Sequence, residues 1–100
     1  MALFAVRRRC CWADLMALET SFRKSSNLVE RDMPGKVRLI RSYVIEEFDG
    51  RLGTVCVLEG DNLKLVAEHA TKVGIRCDEI SPIAVTMIAR ADTGSVYFRN

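Results

Sequence analysis

The chain offers few side chains that could bind a metal ion or transfer a proton. Its single histidine, His69, lies between Leu65 and Val73 at helical spacing, on the flank of an apolar stripe. Imidazole titrates near neutral pH, so His69 could serve as a metal ligand or as an acid–base group. We favour the alternative of a half-buried histidine at the polar edge of the core, because one histidine alone does not define a metal site.

Two adjacent cysteines, Cys10 and Cys11, are the other candidate metal ligands beside His69. Thiolates bind soft metals and can form redox pairs. Adjacent residues of a strand point to opposite faces, however, so these two thiols do not converge unless the strand bends. We therefore expect inert thiols at this position. Cys56, which lies between two valines, is expected to act as a small buried apolar residue.

Arg41 and Tyr43 lie two residues apart and share one face of a predicted strand. If that face lines a cleft beneath the helices, the pair could hold an anionic or phenolic ligand, with Arg41 supplying the charge. If the face meets a partner subunit, both residue types suit an interface. Together with His69, they are the candidate ligand-binding residues. The sequence contains no phosphate-binding glycine loop, nucleophile elbow or paired metal-ligand motif.

Composition excludes several classes of partner. One hundred residues with 49% hydrophobic content fit one domain. The net charge of +2 and the single basic block, Arg7-Arg8-Arg9, argue against a nucleic-acid partner. No segment approaches the roughly 18 apolar residues that span a bilayer, and the N-terminus is unlike a secretory signal, so no membrane partner is expected. We therefore expect a cytoplasmic protein with reduced cysteines.

Hydrophobic periodicity and turn residues predict four strands and two helices. The predicted elements are a strand over residues 3–10, a helix over residues 12–31, strands over residues 36–46 and 52–58, a helix over residues 63–73, and a strand over residues 80–90. Asp61 or Asn62 can cap the second helix, and Gly74 can end it. The order β-α-β-β-α-β is the ferredoxin-like arrangement, an α+β fold with a four-stranded antiparallel sheet and two helices on one face.

The second predicted strand carries large apolar groups on both faces. Alternation places Val37, Leu39, Arg41, Tyr43 and Ile45 on the same face. Two helices can cover only one face of the sheet, so the other face needs a partner, and we expect a homodimer joined through it. Residues 1–92 are assigned to the domain and residues 93–100 to a tail, in which residues 96–98 could form a short extra strand.

A series of short motifs marks a family resemblance, strongest between Gly35 and Ile80. The motifs are Gly35-Lys36-Val37-Arg38, Arg41-Ser42-Tyr43-Val44, Asp49-Gly50, Cys56, Glu68-His69-Ala70, Gly74 and Asp78-Glu79-Ile80. Over residues 3–92 the chain resembles a family of small bacterial proteins of largely unknown function, some described as nickel-binding. The resemblance implies a ferredoxin-like fold and a dimer. In nickel-binding members, histidines near the first strand matter, whereas Arg8, Arg9, Cys10 and Cys11 stand there in this chain.

Two functional hypotheses lead. The first is a small dimeric binding protein without a cofactor, whose ligand is a small molecule or a transition-metal ion such as nickel. The alternative is a cofactor-independent enzyme of the monooxygenase or isomerase type, which rests on an analogy between folds. A third possibility is an interaction module. Since His69 is the only imidazole, we predict that one chain does not bind nickel tightly on its own side chains.

Overall fold

The computed structural model describes residues 1–90 and shows the predicted order of elements. The elements are β1 (Ala2–Trp12), α1 (Leu15–Asp32), β2 (Val37–Glu46), β3 (Leu52–Gly60), α2 (Leu63–Val73) and β4 (Glu79–Pro82). The strands form one antiparallel sheet in the order β2-β3-β1-β4. The prediction of a ferredoxin-like α+β fold is confirmed. No helix within residues 1–90 has the length and apolar character needed to cross a bilayer.

Both helices pack on the same face of the sheet, which we call the helix face. Alternate residues of β1 and β3 point into it because successive side chains of a strand lie on opposite sides. Its core contains Phe4, Val6, Val37, Cys56, Leu58 and Val66, with Phe22 of α1 and Leu65 of α2 packed against them. The opposite side of the sheet, called the far face, carries Ala5, Val55 and Val57, which are half-buried.

The two helices begin at side-chain caps. Asp14 accepts a hydrogen bond from the Ala17 N–H at 2.8 Å, and Asn62 accepts one from the Leu65 N–H at 2.9 Å. Each cap satisfies a backbone donor that would otherwise lack a partner in the first turn. The predicted helix start at residue 12 is therefore three residues too early. Trp12 ends β1 instead, where it packs edge-to-face on Phe22 with 5.8 Å between the ring centroids.

β2 contains an irregularity that its sequence does not predict. Leu39 pairs with Leu58 and Arg41 pairs with Val57, so Ile40 has no partner residue on β3. An extra residue of this kind is a β-bulge, and it reverses the alternation of the residues that follow.

The bulge overturns the prediction that five residues of β2 share a face. Val37 and Leu39 oppose residues of the helix face, whereas Arg41, Tyr43 and Ile45 lie on the far face. Ser42 takes the next position on the helix face, where its hydroxyl donates to the Cys56 sulfur at 3.1 Å. The odd-numbered residues of β2 therefore lie on the helix face before the bulge and on the far face after it.

β4 is much shorter than the predicted strand over residues 80–90. It pairs with β1 only from Glu79 to Pro82, and the Ile83 N–H makes one further hydrogen bond of 2.9 Å to the Leu3 carbonyl oxygen. Residues 83–90 form neither helix nor strand, and we call them the C-terminal arm. The predicted tail over residues 93–100 and its extra strand lie outside the described residues.

Candidate functional site

Arg8 occupies a position on the helix face where β1 would be expected to place an apolar residue. It follows Phe4 and Val6 at the spacing of two that keeps side chains on one side of a strand. Arg8 is only 4% exposed, and its partner across the ladder, Thr54 of β3, is fully buried. A guanidinium and a hydroxyl thus lie beside each other in the interior between sheet and helices.

The charge of Arg8 is not neutralised within residues 1–90. No carboxylate of these residues lies within 4.0 Å of its nitrogens, and its Nε has no hydrogen-bond partner. Its neighbours in the sequence behave differently, since Arg7 pairs with Glu47 at 2.9 Å and Arg9 pairs with Glu79 at 3.5 Å. Burying an unpaired ion lowers the stability of the folded state by roughly several kcal/mol, so Arg8 is an unusual core residue.

Two further buried polar atoms near Arg8 lack partners, the Oγ1 of Thr54 and the Nδ1 of His69. His69 lies on α2, near enough for the Arg8 charge to act on its imidazole. Burial, and secondly that positive charge, lower the pKa of His69 below its ordinary value of 6.5. The imidazole is therefore neutral at neutral pH, with one ring nitrogen that donates and one that accepts. β1, β3 and α2 each contribute one member to this group, which we call the Arg8 cluster.

A groove of about 610 Å³ lies between α2 and β4, open to solvent. Its apolar lining includes Leu63, Ala67, Ala70, Ile75 and Ile80. Cys77 links the groove to the Arg8 cluster, because it lines the groove and the charge of Arg8 acts on its thiol. Desolvation raises the pKa of Cys77, so the thiol is protonated and uncharged at neutral pH. The groove thus offers an apolar surface beside a buried cation.

The candidate metal ligands Cys10 and Cys11 lie elsewhere, in an irregular stretch of β1 between Arg8 and Trp12. Cys10 has a φ of 54°, and its N–H donates to Glu47 Oε2 at 2.9 Å. Desolvation, followed by the negative charge of Asp49, raises the pKa of the Cys10 thiol. Protonated thiols are poor metal ligands and poor nucleophiles. The four cysteines form no disulfide, and residues 1–90 contain no group of three side chains arranged to hold a metal ion.

Arg41 and Tyr43 lie on the far face, on the opposite side of the sheet from His69. Arg41 Nη1 donates to the Tyr43 hydroxyl oxygen at 3.0 Å, and its guanidinium carbon lies 5.9 Å from the centre of the Tyr43 ring. The structure thus brings these two residues together and separates them from His69. The pair therefore does not line a cleft beneath the helices.

Sequence reasoning missed Arg8 and Thr54. Arg8 stands in a run of three arginines, which is typical of a solvated strand end, and Thr54 follows a glycine near a turn. The signal was nevertheless present in the spacing of Phe4, Val6 and Arg8, which places the middle arginine of the block on the apolar side.

Comparisons with known proteins support the fold. No protein-family model and no curated protein matches the chain. Among solved structures, the chain is similar to SCO4226 from Streptomyces coelicolor A3(2), with a TM-score of 0.67 and 20% sequence identity. The match covers 86% of this chain and 100% of that chain. At this level of identity the likeness shows a shared fold.

Proposed function

We propose that this protein binds a small anionic molecule, with a carboxylate as the preferred group, at the Arg8 cluster. The observation that carries the proposal is the buried guanidinium of Arg8, which has no acidic partner within residues 1–90. A bound anion would supply the missing opposite charge at a residue that is largely removed from water. Such a contact is worth more in a low-dielectric interior than at the surface.

The chemistry of the cluster favours a carboxylate. A guanidinium presents its N–H groups in a planar fork that matches the two oxygens of a carboxylate. The Thr54 hydroxyl can donate a further hydrogen bond to the same group, and neutral His69 can donate one from a ring nitrogen. The ligand would thus give hydrogen-bond partners to buried polar atoms that otherwise lack them. Polar groups in a protein core usually have such partners.

The groove beside the cluster supports a ligand with an apolar body. The groove is open to solvent, and its lining offers contact for the hydrocarbon part of a ligand. Ala67, Ala70 and Ile80 supply apolar lining and Cys77 contributes a neutral thiol, while Arg76 and Glu79 add one charge of each sign at the groove. A molecule with its carboxylate at Arg8 and its hydrocarbon part against α2 and β4 would use both features.

The geometry gives less support to the metal-ion alternative. His69 experiences the positive charge of Arg8, which repels a second cation. Cys10 and Cys11 belong to a different part of the chain, at the irregular end of β1. The enzyme alternative has no comparable support, because a buried arginine, a threonine and a neutral histidine explain recognition of an anion without any reaction.

The proposal is tested with Arg8→Met, which removes the charge but keeps an unbranched side chain. Arg23→Met is the matched control, since Arg23 is an exposed arginine of α1. The probes are benzoate, acetate and inorganic phosphate, with benzamide as a neutral analogue of benzoate, and binding is measured by calorimetry and by the change in Tm. We expect benzoate to bind the wild type and Arg23→Met, benzamide to bind neither, and Arg8→Met to lose at least about tenfold in affinity, or 1.4 kcal/mol.

Two outcomes would contradict the proposal. One is a wild-type protein whose Tm and binding heat do not respond to any of the three anions at millimolar concentration. The other is equal anion affinity in the wild type and in Arg8→Met. If phosphate binds and the carboxylates do not, the anion site is retained and the assignment to carboxylates is wrong.

A further inference from the structure

Regular pairing between β1 and β3 stops at Arg8. Arg8 pairs with Thr54, and the next paired residue of β1 is Trp12, which pairs with Leu52. Between these two pairs β1 has three residues and β3 has one, and Cys10 in this stretch has a φ of 54°. Irregular pairing of this kind disrupts the ladder of hydrogen bonds that holds a strand in place. The backbone that directs the Arg8 side chain therefore depends on other contacts.

The ion pair between Arg7 and Glu47 supplies such contacts. The Arg7 side chain lies on the far face, and its Nη1 donates to the carbonyl oxygens of Arg8 at 2.9 Å and Thr54 at 3.2 Å. Its Nη2 donates to Glu47 Oε1 at 2.9 Å, and Glu47 Oε2 accepts from the Cys10 N–H at 2.9 Å. One ion pair thus holds the backbone of Arg8, of its partner on β3, and of the irregular stretch that follows.

Gly53 makes this ion pair possible. β3 lies between β1 and β2 in the sheet, so Arg7 and Glu47, which follows β2, must meet across it. A Cβ atom at Gly53 would overlap Glu47 Oε2 and the carbonyl oxygen of Arg8. The pair is well shielded, since the side chain of Glu47 is 8% exposed and that of Arg7 is 18% exposed. The hydrogen bonds from Arg7 and from the Cys10 N–H lower the pKa of the Glu47 carboxyl, which is therefore charged at neutral pH.

We propose that Glu47 is a positioning residue that acts through Arg7 and holds the Arg8 guanidinium in place within the Arg8 cluster. This inference rests on the proposed function, because it concerns the residue that would hold the anion. Bidentate recognition of a carboxylate depends on the direction of the planar guanidinium fork, so the backbone that carries the fork must be fixed. Glu47 and Arg7 meet on the far face of the sheet, whereas the cluster lies on the helix face. Their effect on the anion is therefore indirect.

A double-mutant cycle tests the inference in protein without ligand, with the pKa of His69 measured by NMR. The charge of Arg8 lowers that pKa, so Glu47→Gln, which releases Arg8, should raise it. Loss of the Glu47 negative charge alone would lower the pKa, so a rise reports movement of Arg8. In the Arg8→Met background, Glu47→Gln should not raise the pKa, because the charge that Glu47 positions is absent.

Glu59→Gln is the matched control, because it removes the carboxylate of the more exposed Arg38–Glu59 pair, whose atoms lie 3.5 Å apart. It should leave the pKa of His69 unchanged. Arg7→Lys is a second variant of the network. It keeps the positive charge, but a single ammonium group does not reproduce the contacts of the guanidinium fork, so it should raise the pKa of His69 as Glu47→Gln does.

Benzoate affinity provides the second measurement. Glu47→Gln should weaken benzoate binding by at least about fivefold, and Glu59→Gln should leave it unchanged. A His69 pKa that stays constant or falls in both Glu47→Gln and Arg7→Lys would overturn the inference, as would an equal rise in the Arg8→Met background. Equal benzoate affinity in the wild type and in Glu47→Gln would overturn it as well. If the pKa cycle follows expectation but the wild type binds no anion, the proposed function is wrong and the positioning of Arg8 by Glu47 is confirmed.

Discussion

Arg8 combines a structural cost with a proposed role in binding. Arg8 is 4% exposed, and its Nε has no hydrogen-bond partner within residues 1–90, so the folded state contains a charge that water would stabilise better. Residues that serve binding often reduce stability in this way, because a site must contain groups that only the ligand satisfies. The two effects of Arg8 have opposite signs and can be measured separately.

Without ligand, Arg8→Met should be more stable than the wild type. Removal of an uncompensated buried charge is expected to raise the free energy of unfolding by about 1–4 kcal/mol. Urea denaturation provides the measurement, and Arg23→Met should stay within about 0.5 kcal/mol of the wild type because Arg23 is exposed. A loss of stability in Arg8→Met would show that Arg8 has a partner in the folded protein and would remove the main argument for an anion site.

His69 predicts a pH dependence whose sign is fixed by its lowered pKa. Below pH 6.5 the unfolded chain binds a proton at this histidine more readily than the folded chain does. The contribution of His69 is therefore fully present above pH 6.5 and is lost as the pH falls through that value. Urea unfolding between about pH 5 and pH 7 should show this decline in the wild type and a smaller one in His69→Gln.

The same histidine should report on anion binding. A carboxylate at Arg8 cancels the positive charge that lowers the pKa of His69, so benzoate should raise that pKa. NMR titration of the imidazole needs no assignment, because the chain has a single histidine. An imidazole pKa that is the same with and without bound benzoate would place the anion away from the cluster.

At the scale of elements, local signals were predictable and the relations between strands were not. Gly74 was identified as the end of α2, and Asp61 or Asn62 as its cap, because capping depends on a few consecutive residues; Asn62 is the cap. No local sequence signal predicts the bulge at Ile40, since Leu39, Ile40 and Arg41 all fit a regular strand. Likewise, the length of β4 depends on its pairing with β1, which lies more than seventy positions earlier in the sequence. The Arg8 cluster was missed for the same reason, because it joins three elements.

Gly74 gives a test of an element boundary. It ends α2 with a φ of 76°, in the left-handed region where a Cβ atom is unfavourable. Gly74→Ala should therefore lower the free energy of unfolding by about 1–2 kcal/mol, whereas Gly74→Asn should lower it less, because asparagine tolerates this conformation. Urea denaturation distinguishes the two variants, and equal stabilities would mean that α2 ends in another conformation.

For the whole molecule, the distribution of candidate ligands predicts the response to nickel. Tight binding needs several imidazole, thiolate or carboxylate groups that converge in a fixed geometry. Here His69 lies beside the positive charge of Arg8, and the thiol of Cys10 has a raised pKa. Calorimetric titration of the wild type with nickel should therefore give weak heat or none. A stoichiometric submicromolar site that is lost in His69→Ala would contradict this and revive the metal-ion hypothesis.

The bulge in β2 also bears on how this chain can change length. Removal of the unpaired Ile40 would join the two halves of the strand in one continuous alternation. Leu39 would stay on the helix face, and Arg41, then its direct neighbour, would stay on the far face. A one-residue deletion at the bulge would thus keep the inside and the outside of the strand unchanged. Related sequences of different length should accordingly lose a residue at the bulge as readily as in the turns.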